Sequence, residues 1–542
     1  MTNKQIANSF NLLGKLMELH GENTFKVRSY YSAYQALRRL DTPLNDMSEE
    51  DRAEISGVGK AIHGKIGELI EKGQMDTLDR YIEMTPPGVI EILSIKGLGP
   101  KKVQTIWKEM EVESPGELLY ACHENRLVEL KGFGAKTQAD VIKKLNFYLA
   151  AKGQVLYPTA ETIFEEIISR IEDVSPQVMI KPVGEFGMKL PIITSIEILI
   201  SEEVDLISAL GEAYVVTEEE STYHGVPVDV EVVEESIFIL ESILRSSATY
   251  LQDELEDRLV EYEGLEDEEE IFEANGLVYI PAEIRDYPNA SLDSLADLAP
   301  SLISEEDIKG VVHSHTLYSD GLYSVKDMAE YSQALGYEYL VITDHSKSAF
   351  YANGLSVERV EMQQREIEQV NQSMAGFAVM KGMECDILYD GSMDYDDDVL
   401  ASFDLVIASV HSQLKMDEAK ANERLIRAIE HPKVKMLGHM TGRLLLSREG
   451  YPVDHAKIID ACAANGVCIE LNANPHRLDI DYTWIKQATD KGVMISVNPD
   501  AHNKEGIKDI KYGVYAARKG GLSTEMCLNS LGTEAFSAWL CQ

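Results

Sequence analysis

The chain has 542 residues, of which 44% are hydrophobic, and single cores stop growing at roughly 250–300 residues. Several domains with buried cores are therefore expected. The N-terminus lacks the apolar run of a signal peptide, and no stretch is apolar enough to span a membrane. We therefore expect a cytoplasmic protein without a membrane partner. The six cysteines form no CxxC pair, which favours free thiols.

Charge is distributed unevenly along the chain. Residues 1–150 carry 20 Lys+Arg and 21 Asp+Glu, a net of −1, whereas residues 151–309 carry 8 and 38, a net of −30. Residues 310–542 carry 22 and 33, a net of −11, and the three values sum to −42. The acidic middle third should repel nucleic acid and nucleotides, while the nearly neutral first third is compatible with nucleic-acid binding.

One pattern occurs three times in the first third: an apolar residue, then Gly-x-Gly, then a basic helix. Glycines allow a tight turn and the close approach of a ligand. The helix N-terminus and the lysine then attract an anion, as a helix-hairpin-helix holds a DNA phosphate. The alternative is a glycine turn between packed helices. The candidate DNA-binding residues are Gly57, Gly59, Lys60, Gly97, Gly99, Lys101, Lys102, Gly132, Gly134 and Lys136.

These hairpins and the upstream segment GENTFKVRSY, which begins at Gly21, resemble the N-terminal and fingers regions of family X DNA polymerases. Among these polymerases, the chain resembles the bacterial form that ends in a PHP phosphoesterase domain. The resemblance covers nearly the whole chain. It aligns Lys65 with the lysine that acts as a lyase nucleophile in some relatives. The alternative for Lys65 is a surface lysine on a helix.

The resemblance implies three kinds of fold. These are an all-α helix-hairpin-helix region, an α+β nucleotidyltransferase-like palm and thumb, and a C-terminal α/β PHP barrel of about seven βα units. We expect a lyase-like hairpin domain over 1–85, fingers with two further hairpins over 86–150, a palm over 151–240, a thumb over 241–286, a linker over 287–308 and the PHP domain over 309–542.

The palm departs from the family pattern, which has a Gly-Ser…Arg-Arg loop and a Gly-Asp-x-Asp strand. This chain has Gly184-Glu-Phe-Gly-Met-Lys at the loop and Ser195-Ile-Glu197 at the strand, while Asp229 keeps the third carboxylate. Two-metal phosphoryl transfer needs anionic ligands that neutralise developing charge. We therefore expect no Mg²⁺ at the palm and no templated polymerase activity.

Seven apolar runs alternate with helical stretches in the last third, which predicts a parallel barrel with its active site at the C-terminal strand ends. The runs are 308–313, 338–343, 376–384, 404–410, 434–438, 466–472 and 493–498. Metal-binding side chains occupy these ends and one adjoining loop. The resemblance implies that nine of them form a trinuclear site: His313, His315, Asp320, His345, Glu384, His411, His439, Asp500 and His502.

Imidazole and carboxylate ligands suit Zn²⁺, Mn²⁺ or Fe²⁺, and nine ligands predict two or three divalent ions. Glu384 is the bridging carboxylate by resemblance. Arg443 and Arg477 are candidate phosphate contacts, with a salt bridge at the barrel rim as the alternative. His476 is a candidate for protonating the leaving group.

The combined pattern favours a metal-dependent phosphoesterase that acts on DNA. We expect 3′–5′ exonuclease or 3′-end processing in repair, on gapped or single-stranded DNA. Two alternatives remain open. The barrel could hydrolyse a small phosphomonoester, or the chain could be a non-catalytic DNA-binding scaffold whose acidic middle region docks a basic partner protein.

Overall fold

A computed structural model of the chain describes residues 1–40, 42–55, 58–95, 97–150, 153–218 and 220–541. Contacts divide the chain into two units, Met1–Cys122 with Leu127–Tyr148, and His123–Arg126 with Leu149–Gln542. Within these described ranges, no helix combines the length and the apolar character needed to cross a membrane.

The first unit is built from short helices, as the hairpin pattern predicts. Helix α1 begins at a capping box formed by Thr2 and Gln5, and it buries Ile6, Phe10 and Leu13 along one face. The helices of this region are α1 Asn3–Leu19, α2 Thr24–Leu37, α3 Glu49–Ala53, α4 Lys60–Lys72, α5 Asp76–Glu83, α6 Pro87–Ser94, α7 Pro100–Met110, α8 Pro115–His123 and α9 Ala135–Ala150.

The second unit begins with an α+β region that contains a five-stranded sheet in the order β2-β4-β7-β6-β5. Strands β4 and β7 are parallel, and the other neighbours are antiparallel. The strands are β1 Val155–Leu156, β2 Ile180–Val183, β3 Ile192–Ile193, β4 Ile196–Ile200, β5 Tyr214–Val216, β6 Ser221–Tyr223 and β7 Val226–Val232. The helices are α10 Tyr157–Val174, α11 Gly184–Gly187, α12 Leu206–Leu210, α13 Phe238–Arg245, α14 Thr249–Arg258 and α15 Glu268–Ala274.

The segment expected to be a linker is a packed connection. It contains helix α16, Leu292–Leu298, which starts at a capping box on Ser291. Leu292, Leu295 and Ile303 are buried. The apolar positions of this stretch therefore anchor it to the unit, although its Pro, Ser and Asp content suggested a linker.

The last third forms a seven-stranded, all-parallel sheet in chain order, which confirms the predicted barrel. A parallel bridge between Ser314 and Ala501 brings its two edges together. The strands are β8 Gly310–Ser314, β9 Tyr339–Ile342, β10 Ala378–Asp386, β11 Leu405–Ser409, β12 Met436–Leu437, β13 Cys468–Asn472 and β14 Ile495–Asn498. The helices are α17 Val325–Ala334, α18 Val357–Ser373, α19 Asp397–Leu400, α20 Glu418–Ile429, α21 His455–Asn465, α22 Ile485–Asp490, α23 Ile510–Lys519 and α24 Thr533–Leu540.

Candidate metal centre

The nine predicted ligands come together at the C-terminal ends of the barrel strands. Eight of them fall into three overlapping groups whose ligand atoms lie within 4.8 Å of one another. The groups are His315, Asp320, His345 and His502; His313, His315 and Asp500; and His345, Glu384 and His411. The ninth, His439, places Nε2 2.9 Å from Glu384 Oε1.

Glu384 lies at the centre of this cluster. Its Oε1 is 3.0 Å from His411 Nε2 and 3.3 Å from His313 Nε2, and its Oε2 is 2.8 Å from His345 Nδ1. Burial alone would raise the pKa of Glu384, but His411, His313 and His345 hold that pKa well below its usual range. The side chain is therefore an anion that reaches several rings at once, as a bridging carboxylate requires.

Several buried atoms of the cluster lack a hydrogen-bond partner among the described residues. They are His313 Nε2, both carboxylate oxygens of Asp320, His345 Nδ1, Glu384 Oε2, His439 Nδ1 and His502 Nε2. Buried polar atoms normally have partners, so such a concentration of exceptions needs an explanation. Two of these atoms, His345 Nδ1 and Glu384 Oε2, lie only 2.8 Å apart. Nitrogen and oxygen donors in this arrangement fit divalent cations.

An unusual backbone conformation orients two of the candidate ligands, His313 and Asp500. Strand β8 changes register against β9 between Val311 and Ser314, and His313 within this irregularity has φ +67°. Asp500, just after β14, has φ +52°. Left-handed backbone at non-glycine residues is uncommon and concentrates at functional sites.

A second layer of carboxylates, which the sequence analysis missed, orients the histidines. Glu470 Oε1 lies 2.5 Å from Nδ1 of His313, and its Oε2 accepts the backbone N–H of His439 at 2.6 Å. Asp386 pairs with Nδ1 of His411. Such partners fix which ring nitrogen faces a metal. The available signal was a charged residue inside an apolar strand, as in Cys468-Ile-Glu470-Leu-Asn472.

The three candidate catalytic residues differ in their surroundings. Arg477 is buried, with Nε 3.7 Å from Asp500 Oδ2, so its guanidinium borders the cluster. Arg443 donates to the carbonyl of Arg477 at 2.9 Å and to Asp481 at 2.5 Å, which matches the salt-bridge alternative. Burial lowers the pKa of His476 to about 3, so this imidazole is neutral near pH 7.

The hairpin turns repeat one geometry. The residue between the two glycines donates its N–H to the carbonyl of the apolar residue three positions earlier. Leu98 donates in this way to the carbonyl of Ile95 at 3.1 Å. The equivalent bonds in the other turns are Val58 to Ile55 and Phe133 to Leu130, each at 3.0 Å. Gly97 and Gly132 have φ of +96° and +95°. Gly57 lies outside the described residues.

The second glycine of each turn precedes a helix and faces open space. Gly59 and Gly99 are the N-cap residues of α4 and α7. Gly134 comes directly before α9. A Cβ added at any of these three glycines would meet no atom within 4 Å. An anion could therefore approach these helix N-termini closely.

The predicted basic residues lie beside these turns. Lys60, Lys101 and Lys136 are exposed, and Lys102 is half-buried with Nζ 5.4 Å from the ring centroid of Phe133. The first three are therefore accessible to a phosphate. The predicted lyase lysine, Lys65, is half-buried and donates to the Thr77 hydroxyl at 2.5 Å.

The palm residues also lie together. Glu197 and Asp229 are direct neighbours across the parallel strands β4 and β7, and Ser195 comes just before β4. Burial raises the pKa of Glu197, and the nearby carboxylates of Asp229 and Glu185 raise it further.

Comparison with known proteins agrees with this architecture. Family models for a helix-hairpin-helix domain, a SAM-like helix-hairpin-helix tandem and a PHP domain match residues 1–75, 89–146 and 312–474. The DNA polymerase/3′-5′ exonuclease PolX of Bacillus subtilis is 33% identical over 100% of this chain and 99% of its own length. A probable phosphatase of Thermoanaerobacter is 25% identical over 40% of this chain and 89% of its own length. One of Acetivibrio thermocellus is 31% identical over 30% of this chain and 63% of its own length.

The similarity to PolX extends over the whole chain. This chain combines helix-hairpin-helix motifs with a cluster of candidate metal ligands. The chain therefore belongs to the PolX family, the X-type DNA polymerases with a C-terminal PHP domain, and it carries a phosphoesterase-type hydrolase domain.

Proposed function

We propose that this protein hydrolyses phosphodiester bonds at the 3′ ends of DNA, as a 3′–5′ exonuclease or 3′-end-processing enzyme in repair, and that it no longer polymerises DNA. The observation that carries the proposal is the convergence of nine metal-binding side chains in a chain that also has three hairpin turns. In this assignment residues 1–85 and 86–150 hold the DNA, residues 151–240 and 241–286 are a palm and thumb that act as a scaffold, and residues 309–542 cleave.

The barrel residues have distinct roles in this proposal. Glu384, the surrounding histidines, Asp320 and Asp500 would together hold two or three ions. Divalent ions held there, of the Zn²⁺, Mn²⁺ or Fe²⁺ class, would activate the attacking water and neutralise charge on the phosphoryl oxygens. Glu470 keeps the Nδ1 proton of His313, so that Nε2 faces the centre. Arg477 borders Asp500 and is placed to contact a substrate phosphate.

Three features of the palm support the loss of polymerase activity. The Glu197 carboxylate packs against Gly184, where a Cβ would clash with it. It therefore fills space in front of the loop that should hold a triphosphate. Lys189, the cation of that loop, donates to the Tyr157 hydroxyl at 2.7 Å. Ser195 provides no anionic ligand for a second Mg²⁺.

The small-phosphomonoester alternative is favoured by one finding. The matches to probable phosphatases cover 30% and 40% of this chain. Hydrolysis of a small substrate would leave the hairpins without a role in catalysis. The scaffold alternative, with a basic partner protein on the acidic region 151–309, requires no metal in the barrel.

A nuclease assay with two labels tests the proposal. Purified protein with Mn²⁺ is given single-stranded and gapped DNA labelled at either the 5′ or the 3′ end. We expect shortening from the 3′ end, abolished in His345→Ala and unchanged in His431→Ala, whose ring pairs with Asp397 outside the cluster. Cleavage of a chromogenic phosphomonoester without cleavage of either DNA would instead support the phosphatase alternative.

A further inference from the structure

Three large apolar side chains are exposed on the loops that carry the metal ligands. Phe350 is 89% exposed, Leu317 60% and Leu322 48%. Single exposed leucines are common and need no explanation. A group of exposed apolar side chains beside a candidate active site, in contrast, indicates a surface that a ligand covers.

Hydrogen bonds hold the loops of these side chains together. Leu317 donates its N–H to the carbonyl of Tyr323 at 2.9 Å, so residues 316–323 fold back on themselves. Asn353, in the loop of Phe350, donates to the carbonyl of Ser319 at 3.3 Å. The two loops therefore form one rim, which we call the apolar rim and define by Leu317, Leu322 and Phe350.

The apolar rim is continuous with the metal centre. Leu317 and Leu322 flank Asp320, and Leu322 donates its N–H to the carbonyl of His502 at 2.9 Å. The ring of Tyr351, next to Phe350, has its centroid 6.3 Å from that of His345. A substrate whose phosphorus lay among the ligands would thus extend its neighbouring groups over the rim.

Cations accompany the apolar side chains. Lys347 is exposed, and it lies in the same loop as Phe350. Lys504, just after the last ligand, places Nζ 4.3 Å from the ring centroid of Tyr323. These lysines lie in residues 310–542, which carry a net charge of −11. Aromatic and aliphatic side chains beside lysines suit a ligand with flat apolar faces and a negatively charged backbone. Single-stranded nucleic acid has this chemistry, because bases stack on apolar side chains while cations follow the phosphates.

We infer that the apolar rim stacks the unpaired bases next to the scissile phosphate and so selects a frayed or single-stranded DNA end. This inference rests on the proposed action on DNA and adds a specificity-determining surface to it. Phe350 supplies the main stacking face, and the two leucines separate the terminal base from its neighbour. Duplex DNA must unpair at its end before its phosphate reaches the ligands.

Variants of Phe350 test the inference through the ratio of two activities. In Phe350→Ala, loss of one stacked base should raise KM for single-stranded DNA by about 5- to 150-fold. The ratio of DNA cleavage to cleavage of a chromogenic phosphoester should fall by a similar factor. Phe350→Trp should keep the wild-type ratio. Leu335→Ala is the matched control, because Leu335 is 40% exposed but lies at the C-cap of α17, away from the ligand loops.

A base-free substrate separates stacking from a general disturbance. When the 3′-terminal nucleotides lack bases, wild type and Phe350→Ala should cleave at the same rate. Binding without added metal gives a second readout: a 3′-terminal 2-aminopurine should lose fluorescence on wild type and less on Phe350→Ala. Equal quenching, or equal cleavage of normal DNA by both proteins, overturns the inference.

Two further outcomes are distinguishable. Wild type that cleaves the chromogenic ester but no oligonucleotide contradicts the proposed DNA function itself. A dimer in light scattering that dissociates in Phe350→Ala shows that a second copy of the chain covers the rim, which overturns the inference while the proposed function stands.

Discussion

Glu470 and His313 are 157 positions apart, yet the carboxylate of Glu470 lies 2.5 Å from Nδ1 of the buried His313 ring. The same glutamate accepts the backbone N–H of His439 at 2.6 Å. One side chain therefore positions two candidate ligands. Substitution of Glu470 therefore tests how its carboxylate affects metal binding while all nine predicted ligands are kept.

We expect Glu470→Gln to fold and to lose metal affinity and phosphoesterase activity by about 10- to 100-fold, because second-layer partners of metal-binding histidines have effects of that size. Elemental analysis and kcat at limiting Mn²⁺ would measure both. Glu430→Gln, on an exposed position at the end of α20, is the control. Full activity with normal metal content in Glu470→Gln would contradict the role given to Glu470.

Metal content tests the number of ions. We expect at least two transition-metal ions per chain after purification without chelator, because eight of the nine predicted ligands form overlapping groups and the ninth, His439, lies 2.9 Å from Glu384. Removal of the ions by a chelator should lower the melting temperature, since ions that bind only the folded state stabilise it. A stoichiometry of one or less would exclude a trinuclear centre.

Polymerase activity should be absent. A primer-extension assay with Mg²⁺ or Mn²⁺ should give no added nucleotide, because Ser195 and Glu197 replace two of the three carboxylates that the family pattern requires. If extension occurs, Asp229→Ala decides its origin. Loss of extension in that variant would mean that the altered palm is still active. Extension that persists in Asp229→Ala would mean that another site carries the activity.

The hairpin lysines should set the salt dependence of DNA binding. Each phosphate contact that is lost reduces the slope of log K against log salt by about one. We expect the double variant Lys101→Glu and Lys102→Glu to bind DNA more weakly with a flatter slope, and to cleave it more slowly relative to a chromogenic ester. The matched variant Lys486→Glu changes an exposed lysine of the barrel that pairs with Asp490. An unchanged slope in the double variant would weaken the proposal that the hairpins hold DNA.

Asp509 should make stability depend on pH. Burial raises its pKa from about 3.8 to about 7 in the folded chain. The folded state therefore binds the proton more tightly than the unfolded state, and stability falls as pH rises from about 4 to about 7. Asp509→Asn removes the free-energy cost of burying a charged carboxylate. The variant should therefore have a Tm at pH 8 that is higher by about 2–4 °C, the shift expected for about 1 kcal/mol. The difference from wild type should shrink as the pH is lowered toward 4, and a difference independent of pH would refute this role.

Local pattern was enough to predict the barrel, whereas the trinuclear ligand set came from the resemblance to PHP domains and stays a prediction. Each strand is a short apolar run, and each candidate ligand lies in the last residues of a strand or in the loop that follows it, so neighbours in sequence carried the information. Glu470 and Asp386 were missed because their partners are distant in sequence, and a charged residue in a strand usually faces solvent. The segment 287–308 was expected to be a linker, and its turn-forming residues gave no sign of the short helix that contains the buried Leu292 and Leu295.

The bridge between Ser314 and Ala501 joins the first strand of the barrel to the segment after the last one, and Asp500 and His502 lie on either side of that closure. During translation the ribosome makes residues 310–498 before these two ligands exist. A nascent or prematurely terminated chain therefore lacks two of the nine predicted ligands. On the proposed function, such a product would lack the complete centre that cleaves DNA.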